Sequence, residues 1–445
     1  MLSREESIAL LRGHRPDLSD ADADAIAAEL GDLPLALTLA GSYLATYRAE
    51  AFGVPATYLA NLRKQLLGHR SLQGAGSASS LTNHELNVQA TFALSYQRLD
   101  TADPVDALAL AALARAAQFA PGEPFPRDLL LATLGEETDD EETATERADA
   151  LLRLVALGLL EDAKAGAMRI HRLIAAFAQA AVQDDAALGA VEDALCHIAN
   201  VINAAGYPAL MQPILAHLRH ATERALERAD EPAATLGNNL GFYLQMLGDY
   251  ATAWPLYERA LAIREQVLGL QHPDTARSLN NLALLLNDQG DAAAARPLYE
   301  RALAIREQVL GPQHPDTAQS LSNLAGLLKS QGEYAAARPL YARALAIREQ
   351  VLGPQHPDTA QSLNNLAGLL NDQGDYAAAK SLYERALAIK ERALGPTHPD
   401  TALSLNNLAA LLHDQGDLVA ARPLLARWRS ASRCSGRSTP TRRRA

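Results

Sequence analysis

Leu321, Leu324, Ala325 and Leu328 fall on one face of a helix, with polar residues between them. The pattern predicts a helix from Thr317 to about Ser330, with Asp316 as its cap. Gln331-Gly332-Glu333 then turns the chain, Gly332 supplying the permissive conformation. A second apolar set, Ala337, Leu340, Tyr341, Ala344, Leu345 and Ile347, predicts a helix from Tyr334 to about Leu352, stopped by Gly353-Pro354. Pro339 lies near the start of that helix, where a missing N–H costs least. The pair recurs every 42 residues: His314-Pro315-Asp316 has copies at His272, His356 and His398, and Asn323 has copies at Asn281, Asn365 and Asn407. A diverged earlier copy sets Asn239 and Gly248-Asp249-Tyr250 in the same frame. A fixed period of this size marks a solenoid, here five repeats over residues 233–428 with the last incomplete.

Upstream the pattern is helical but not periodic. Ser3 to Glu6 predicts a capped helix start, Ser19 opens an acidic second helix, and Gly31 should end it before Pro34 begins a third. Residues 1–75 read as one helical subdomain. In residues 82–183, helices are expected over Leu86–Leu99, Asp106–Phe119, Arg127–Leu134 and Thr143–Leu157. Gly158 to Asp162 and Ala167 to Ile170, around Lys164-Ala165-Gly166, read as a two-stranded hairpin, and His171 opens another helix. Three helices and a wing make a winged-helix-like domain. Residues 184–232 form a helical connector, in which Pro213 to His217 should cover the first repeat. The fold class expected is therefore predominantly all-α, with one small β-hairpin.

Composition agrees. Hydrophobic residues make up 48% of the chain and aromatics 5%, which suits packed helices. The net charge of −12 conceals seven Arg and no acid in residues 427–445, leaving 33 basic against 52 acidic groups before them. A body so acidic disfavours nucleic acid. The helix Thr143–Leu157 sets Glu146 and Asp149 against Arg147 and Arg153, so the winged-helix regulator reading ranks below the others. Two cysteines give no disulfide framework, no signal peptide opens the chain, and no apolar run suits a membrane span. A soluble, cytoplasmic protein is the expectation. Residues 429–445, including Arg442-Arg443-Arg444, read as a disordered basic tail or an altered frame. Without a capping helix the last repeat invites self-association.

The repeat pattern, with small residues at Ala325, Ala337 and Ala344, resembles the tetratricopeptide repeat in the 42-residue form of kinesin light chains and bacterial NB-ARC proteins. The resemblance implies a concave groove lined by first helices and a protein or peptide ligand within it. It places Asn239, Asn281, Asn323, Asn365 and Asn407 where an amide can serve both halves of a peptide unit. The preceding residues, Asn280 and Asn364 among them, add a polar lining, and Lys329 is a point of specificity. The same amides could equally bond between neighbouring repeats. His-Pro-Asp matches the J-domain tripeptide, but four copies in inter-repeat loops fit loop and cap chemistry instead. The histidines do not suit a metal, since helix layers about 8–10 Å apart cannot share ligands about 2 Å from one ion.

Gly31-Asp32-Leu33-Pro34-Leu35-Ala36-Leu37 resembles the "GLPLAL" segment of NB-ARC domains in STAND-type signalling NTPases, and Arg169 to Leu173 resembles their "MHD" motif. The resemblance implies nucleotide contacts from Pro34 and His171. Ile170 replaces the motif's methionine and Arg172 its aspartate, which alters its hydrogen bonding. The phosphate loop is missing, since Gly-Lys occurs nowhere. The chain alone should therefore be non-enzymatic and without cofactor, ADP or ATP requiring a separate NTPase half. The leading expectation is an interaction scaffold or sensor of a STAND-type protein, the runner-up a nucleotide-responsive switch.

Overall fold

The computed structural model describes residues 2–72, 83–135, 140–163 and 166–434. Residues 73–82, with most of the expected 70–80 linker, and, of the tail expected over 429–445, residues 435–445 lie outside the described residues; residues 429–434, expected to be disordered, instead continue the last helix. The chain divides into two compact units, Met1–His197 with Pro213–Ala221 and Ile198–Gln212 with Thr222–Ala445.

The first unit runs α1 (Arg4–His14), α2 (Asp20–Leu30), α3 (Pro34–Thr46), α4 (Pro55–Leu72), α5 (Asn83–Tyr96), α6 (Pro104–Ala116), β1 (Phe125–Pro126), α7 (Arg127–Thr133), α8 (Glu141–Ala156), β2 (Glu161–Asp162), β3 (Ala167–Arg169) and α9 (Arg172–Ala181). Ser3 and Glu6 close a capping box on α1, and Gly31 ends α2 with φ 66°. Pro34 takes the first position of α3, where its missing N–H is harmless. Asp140 caps α8, so Glu141 and Glu142 fall in its first turn beside the positive helix end, two residues earlier than expected. Arg153 of α8 reaches Asp106 of α6 at 3.0 Å and the Tyr47 hydroxyl at 2.9 Å. Arg98 lies 3.5 Å above the Phe52 ring.

The hairpin expected from sequence is present but has a third strand. The sheet order is β1-β3-β2, antiparallel, pairing Phe125 with Met168 and Glu161 with Arg169. Pro121 to Pro126 reads as a turn because of its prolines. Pro126 nevertheless sits on an edge strand, where a residue without an N–H leaves no ladder hydrogen bond unmade.

Residues 213–221 of the expected connector pack within this first unit. His217 is buried between the Phe119 and Phe125 rings; its Nδ1 accepts from Ala120 N at 3.1 Å and its Nε2 lies 3.0 Å from Pro124 O. That pairing needs neutral imidazole with the proton on Nε2, and burial holds the pKa below the usual 6.5. Between the folded value and about 6.5 the unfolded chain binds the extra proton, so stability falls as pH drops below about 6.5. Thermal midpoints should decline from pH 7 toward pH 5, and His217→Gln, which keeps an acceptor and a donor, should flatten the decline. An equally steep decline in the variant would show that other groups set it.

Helices α10 (Ala187–Ala205) and α11 (Leu215–Arg228) contribute residues to both units. The second unit continues as five hairpins: α12 (Glu231–Met246) with α13 (Tyr250–Val267), α14 (Pro273–Asp288) with α15 (Ala292–Val309), α16 (Pro315–Ser330) with α17 (Tyr334–Val351), α18 (Pro357–Asp372) with α19 (Tyr376–Leu394), and α20 (Pro399–Asp414) with α21 (Leu418–Cys434). The first helix of each pair is termed A and the second B. The second, third and fourth repeats share one small core: in the third, Ala318 and Leu321 of the A helix meet Ala344 and Ile347 of its B helix, with Leu303 from the preceding repeat at the edge.

The helix starts differ from the expected cap. Four of the A helices begin at the proline of His-Pro-Asp, and the histidine is the cap, its Nδ1 accepting from Asp316 N at 3.1 Å in the third repeat; the first, α12, is capped by Asp230. Proline takes the first turn and pushes the cap back to the residue before it.

Candidate functional site: the A-helix face of the array

Consecutive A helices approach one another more closely than consecutive B helices do. An array spaced this way curves toward its A helices, which form the inner face. Two ladders hold that curvature. On the B helices, Glu265, Glu307, Glu349 and Glu391 each pair with an arginine of the next repeat: Arg301 at 2.7 Å, Arg343 at 2.5 Å, Arg385 at 2.8 Å and Arg427. Deeper, Arg264, Arg306, Arg348 and Lys390 are buried, one in each of the first four repeats. Arg348 Nη1 donates to Asp358 O at 3.1 Å and Ser362 Oγ at 2.9 Å of the next A helix, and Nη2 to Gln319 of its own at 2.5 Å. Burial lowers the pKa of all four, and they remain paired with carbonyl and side-chain oxygens. These cations are not recognisable from the helix pattern alone, although a charged residue behind Ile263, Ile305, Ile347 and Ile389 in strict period is a signal of them.

The asparagine columns meet at this face but do not all present themselves. Asn238 and Asn280 are buried and donate to Ser278 and Ser320 of the following repeats at 3.1 and 3.0 Å. Asn281 donates to Asn238 Oδ1 at 3.0 Å, and Asn323 to Asn280 Oδ1 at 3.4 Å. Asn364 donates to Ser404 Oγ at 2.7 Å. These amides bond between repeats.

Ser322 interrupts the ladder, because it offers no amide oxygen to the next column. Asn365 is left with only its Oδ1 engaged, by Gln361 Nε2 at 3.1 Å. Among the described residues, neither the Asn365 amide nitrogen nor the Asn407 side chain has a hydrogen-bond partner. Lys329 is paired with Asp372 of the following repeat at 3.1 Å.

Room along the face also varies. The column after the asparagines reads Phe242, Leu284, Gly326, Gly368 and Ala410. At Gly326 and Gly368 a side-chain carbon would come within 3.3 Å of the Tyr341 and Tyr383 hydroxyls. Burial raises both tyrosines to about 12, so they stay neutral donors beneath these glycines, and a side-chain carbon at Gly368 would also meet Lys329 Nζ at 3.1 Å. At the other end of the face, Asn200 and Asn203 of α10 join Asn239, Phe242, Arg277 and Asn281 around a cavity of about 250 Å³. Asn200 and Asn203 are not among the residues expected from sequence, since α10 stands outside the period, and neither are Phe242 and Arg277, which lie in the repeats at positions whose residue changes from copy to copy.

Pro34 is exposed at the start of α3, and His171 caps α9, its Nδ1 accepting from Leu173 N at 3.2 Å. Among the described residues no group of three or more His, Cys, Asp or Glu could hold a metal ion, and no helix is long and apolar enough to cross a membrane.

Comparison with known proteins places the array. Similar solved structures include a Podosopora anserina protein described as a kinesin light chain with nearly identical TPR-like repeats (28% identity, 45% of this chain and 96% of that chain, TM-score 0.37). BtubC (BKLC) from P. vanneervenii is 25% identical over 54% of this chain and 94% of its own, with TM-score 0.40. The apo form of RapI is 15% identical over 66% and 94%, with TM-score 0.46. No curated protein sequence matches the chain. The tetratricopeptide repeat model matches residues 231–308, 278–350, 317–392 and 358–430. The five hairpins of the second unit are thus tetratricopeptide repeats.

Proposed function

We propose that the chain is a non-enzymatic scaffold that binds a protein partner, through an extended segment, on the A-helix face of its repeats. The observation that carries the reading is the pair of available amides, Asn365 and Asn407, on the same face as Gly326 and Gly368, where no side chain covers the Tyr341 and Tyr383 hydroxyls from its own helix. An amide with free donors matches a peptide backbone, and the Tyr341 and Tyr383 hydroxyls add donors at the same level. The interrupted ladder separates amides that hold the array from amides available to a ligand.

The test uses a random peptide library displayed against the full chain, followed by titration of a selected peptide. Asn365→Ala with Asn407→Ala should weaken binding about tenfold, two hydrogen bonds at about 0.5–1.5 kcal/mol each, with helicity unchanged. Asn281→Ala should instead lower the unfolding midpoint. Unchanged affinity in the double variant overturns the assignment of this face.

The finer part of the proposal is that residues 1–183 are the regulatory remnant of a STAND-type switch. Its support is the order of helices and hairpin, with Pro34 opening α3 and His171 capping α9. The partner of such a switch would be read by the repeats, and any nucleotide would need a separate NTPase half.

A further inference from the structure

Ile198–Gln212 belongs to the compact unit of the array although it precedes the repeats by some twenty residues. Three contacts fix it there. Asn203 Nδ2 donates to the Asn239 carbonyl at 3.1 Å, and Gln212 Nε2 donates to the Tyr243 hydroxyl at 2.9 Å, both on the first A helix. Between them, the Tyr207 ring meets the His398 ring edge-on at 6.1 Å, at the start of the last A helix. Burial corroborates this third contact. Pro399 is buried, whereas Pro273, Pro315 and Pro357, at the same place in the other repeats, are only partly so. Gly206, with φ 68°, ends α10 and Pro208 prevents its resumption, so Tyr207 sits at a sharp corner of the chain. Met211 and Ile202 are buried beside it.

The segment therefore lies on the A-helix face and reaches from the first repeat to the last. We propose that residues 198–212 are a built-in occupant of this face, a strap that closes the array and must leave before a partner's segment can run its length. The proposal rests on the binding reading above and adds its regulation. A tethered occupant acts at an effective concentration in the mM range, so a free peptide of equal intrinsic affinity competes poorly until the strap is released.

The experiment uses a labelled synthetic peptide of residues 198–212 as the probe and the full chain as the receptor. In the release variant, Asn203→Ala with Tyr207→Ala and Gln212→Ala, hydrogen exchange of residues 198–212 should rise while the repeat helices keep their protection. The probe should then bind at least about tenfold more tightly than to the unaltered chain. Should the triple variant lose helicity, Tyr207→Ala alone, outside the repeats, gives the same two readouts. Equal probe affinity for released and unaltered chains overturns the proposal. So does a strap that stays protected in the variant, or a released chain that ignores the probe. Failure of library peptides on both forms, with the probe still binding the released one, would instead overturn the partner reading alone.

Discussion

Arg348→Ala should lower the unfolding free energy by about 3–5 kcal/mol, the largest loss expected from any single substitution at a polar site in the array. Arg348 is 4% exposed, and its guanidinium bridges three partners on two A helices. Truncation leaves Ser362, Gln319 and the Asp358 carbonyl without their donor and opens a cavity where two repeats join. Arg348→Met fills the volume but not the hydrogen bonds, so its cost should be near 1–2 kcal/mol. Arg348→Lys should cost least. Lys390 occupies the equivalent position of the next repeat, where its Nζ donates to Gln361 Oε1 at 2.8 Å. Urea unfolding followed by helicity gives the order directly. An alanine variant within about 1 kcal/mol of the parent would show that the buried cations do not hold the repeats together.

Removing residues 315–356 as a block should leave a folded, cooperative array shortened by one repeat. Apart from the Lys329–Asp372 ion pair, which Asn287 cannot replace, the interactions broken at the new junction find equivalent partners there. Arg306 would meet Asp358 and Ser362 in place of Asp316 and Ser320, and Glu307 would meet Arg385 in place of Arg343. The Thr359 hydroxyl would take over the Gly311 carbonyl from Thr317, and Leu303 would pack on Ala360 and Leu363. Solenoid stability is a sum of repeat and nearest-neighbour terms, so the midpoint should fall without loss of cooperativity. Removing 315–335 instead deletes an A helix and its turn, sets two B helices side by side, and should abolish the cooperative transition. Equal damage from both deletions would mean that the repeats are not interchangeable units.

The array is legible in the sequence because period, apolar spacing and turn glycines agree in every copy. Its helix boundaries follow to within two residues, and Ala337, Tyr341, Ala344 and Ile347 are buried as their spacing requires. Three kinds of feature are not legible. Arg348 and its equivalents look like solvent-facing charges until the next repeat's Ser362 closes over them. The role of each asparagine depends on its neighbour one repeat away: Ser322, a single substitution in the column, frees Asn365. The strap escapes a sequence reading because Asn203, Tyr207 and Gln212 carry no period, and Tyr207 meets His398 across most of the array. Such a pairing follows from curvature, which no local pattern encodes.

Where a bound segment lies is the most direct test of the whole account. A library-selected peptide carrying a photoreactive phenylalanine should be bound to the full chain, irradiated, and its attachment sites mapped by mass spectrometry. The account predicts adducts on the A helices α16, α18 and α20, near Gly326, Gly368 and Asn407. Adducts confined to the B helices, or to residues 1–197, would contradict it.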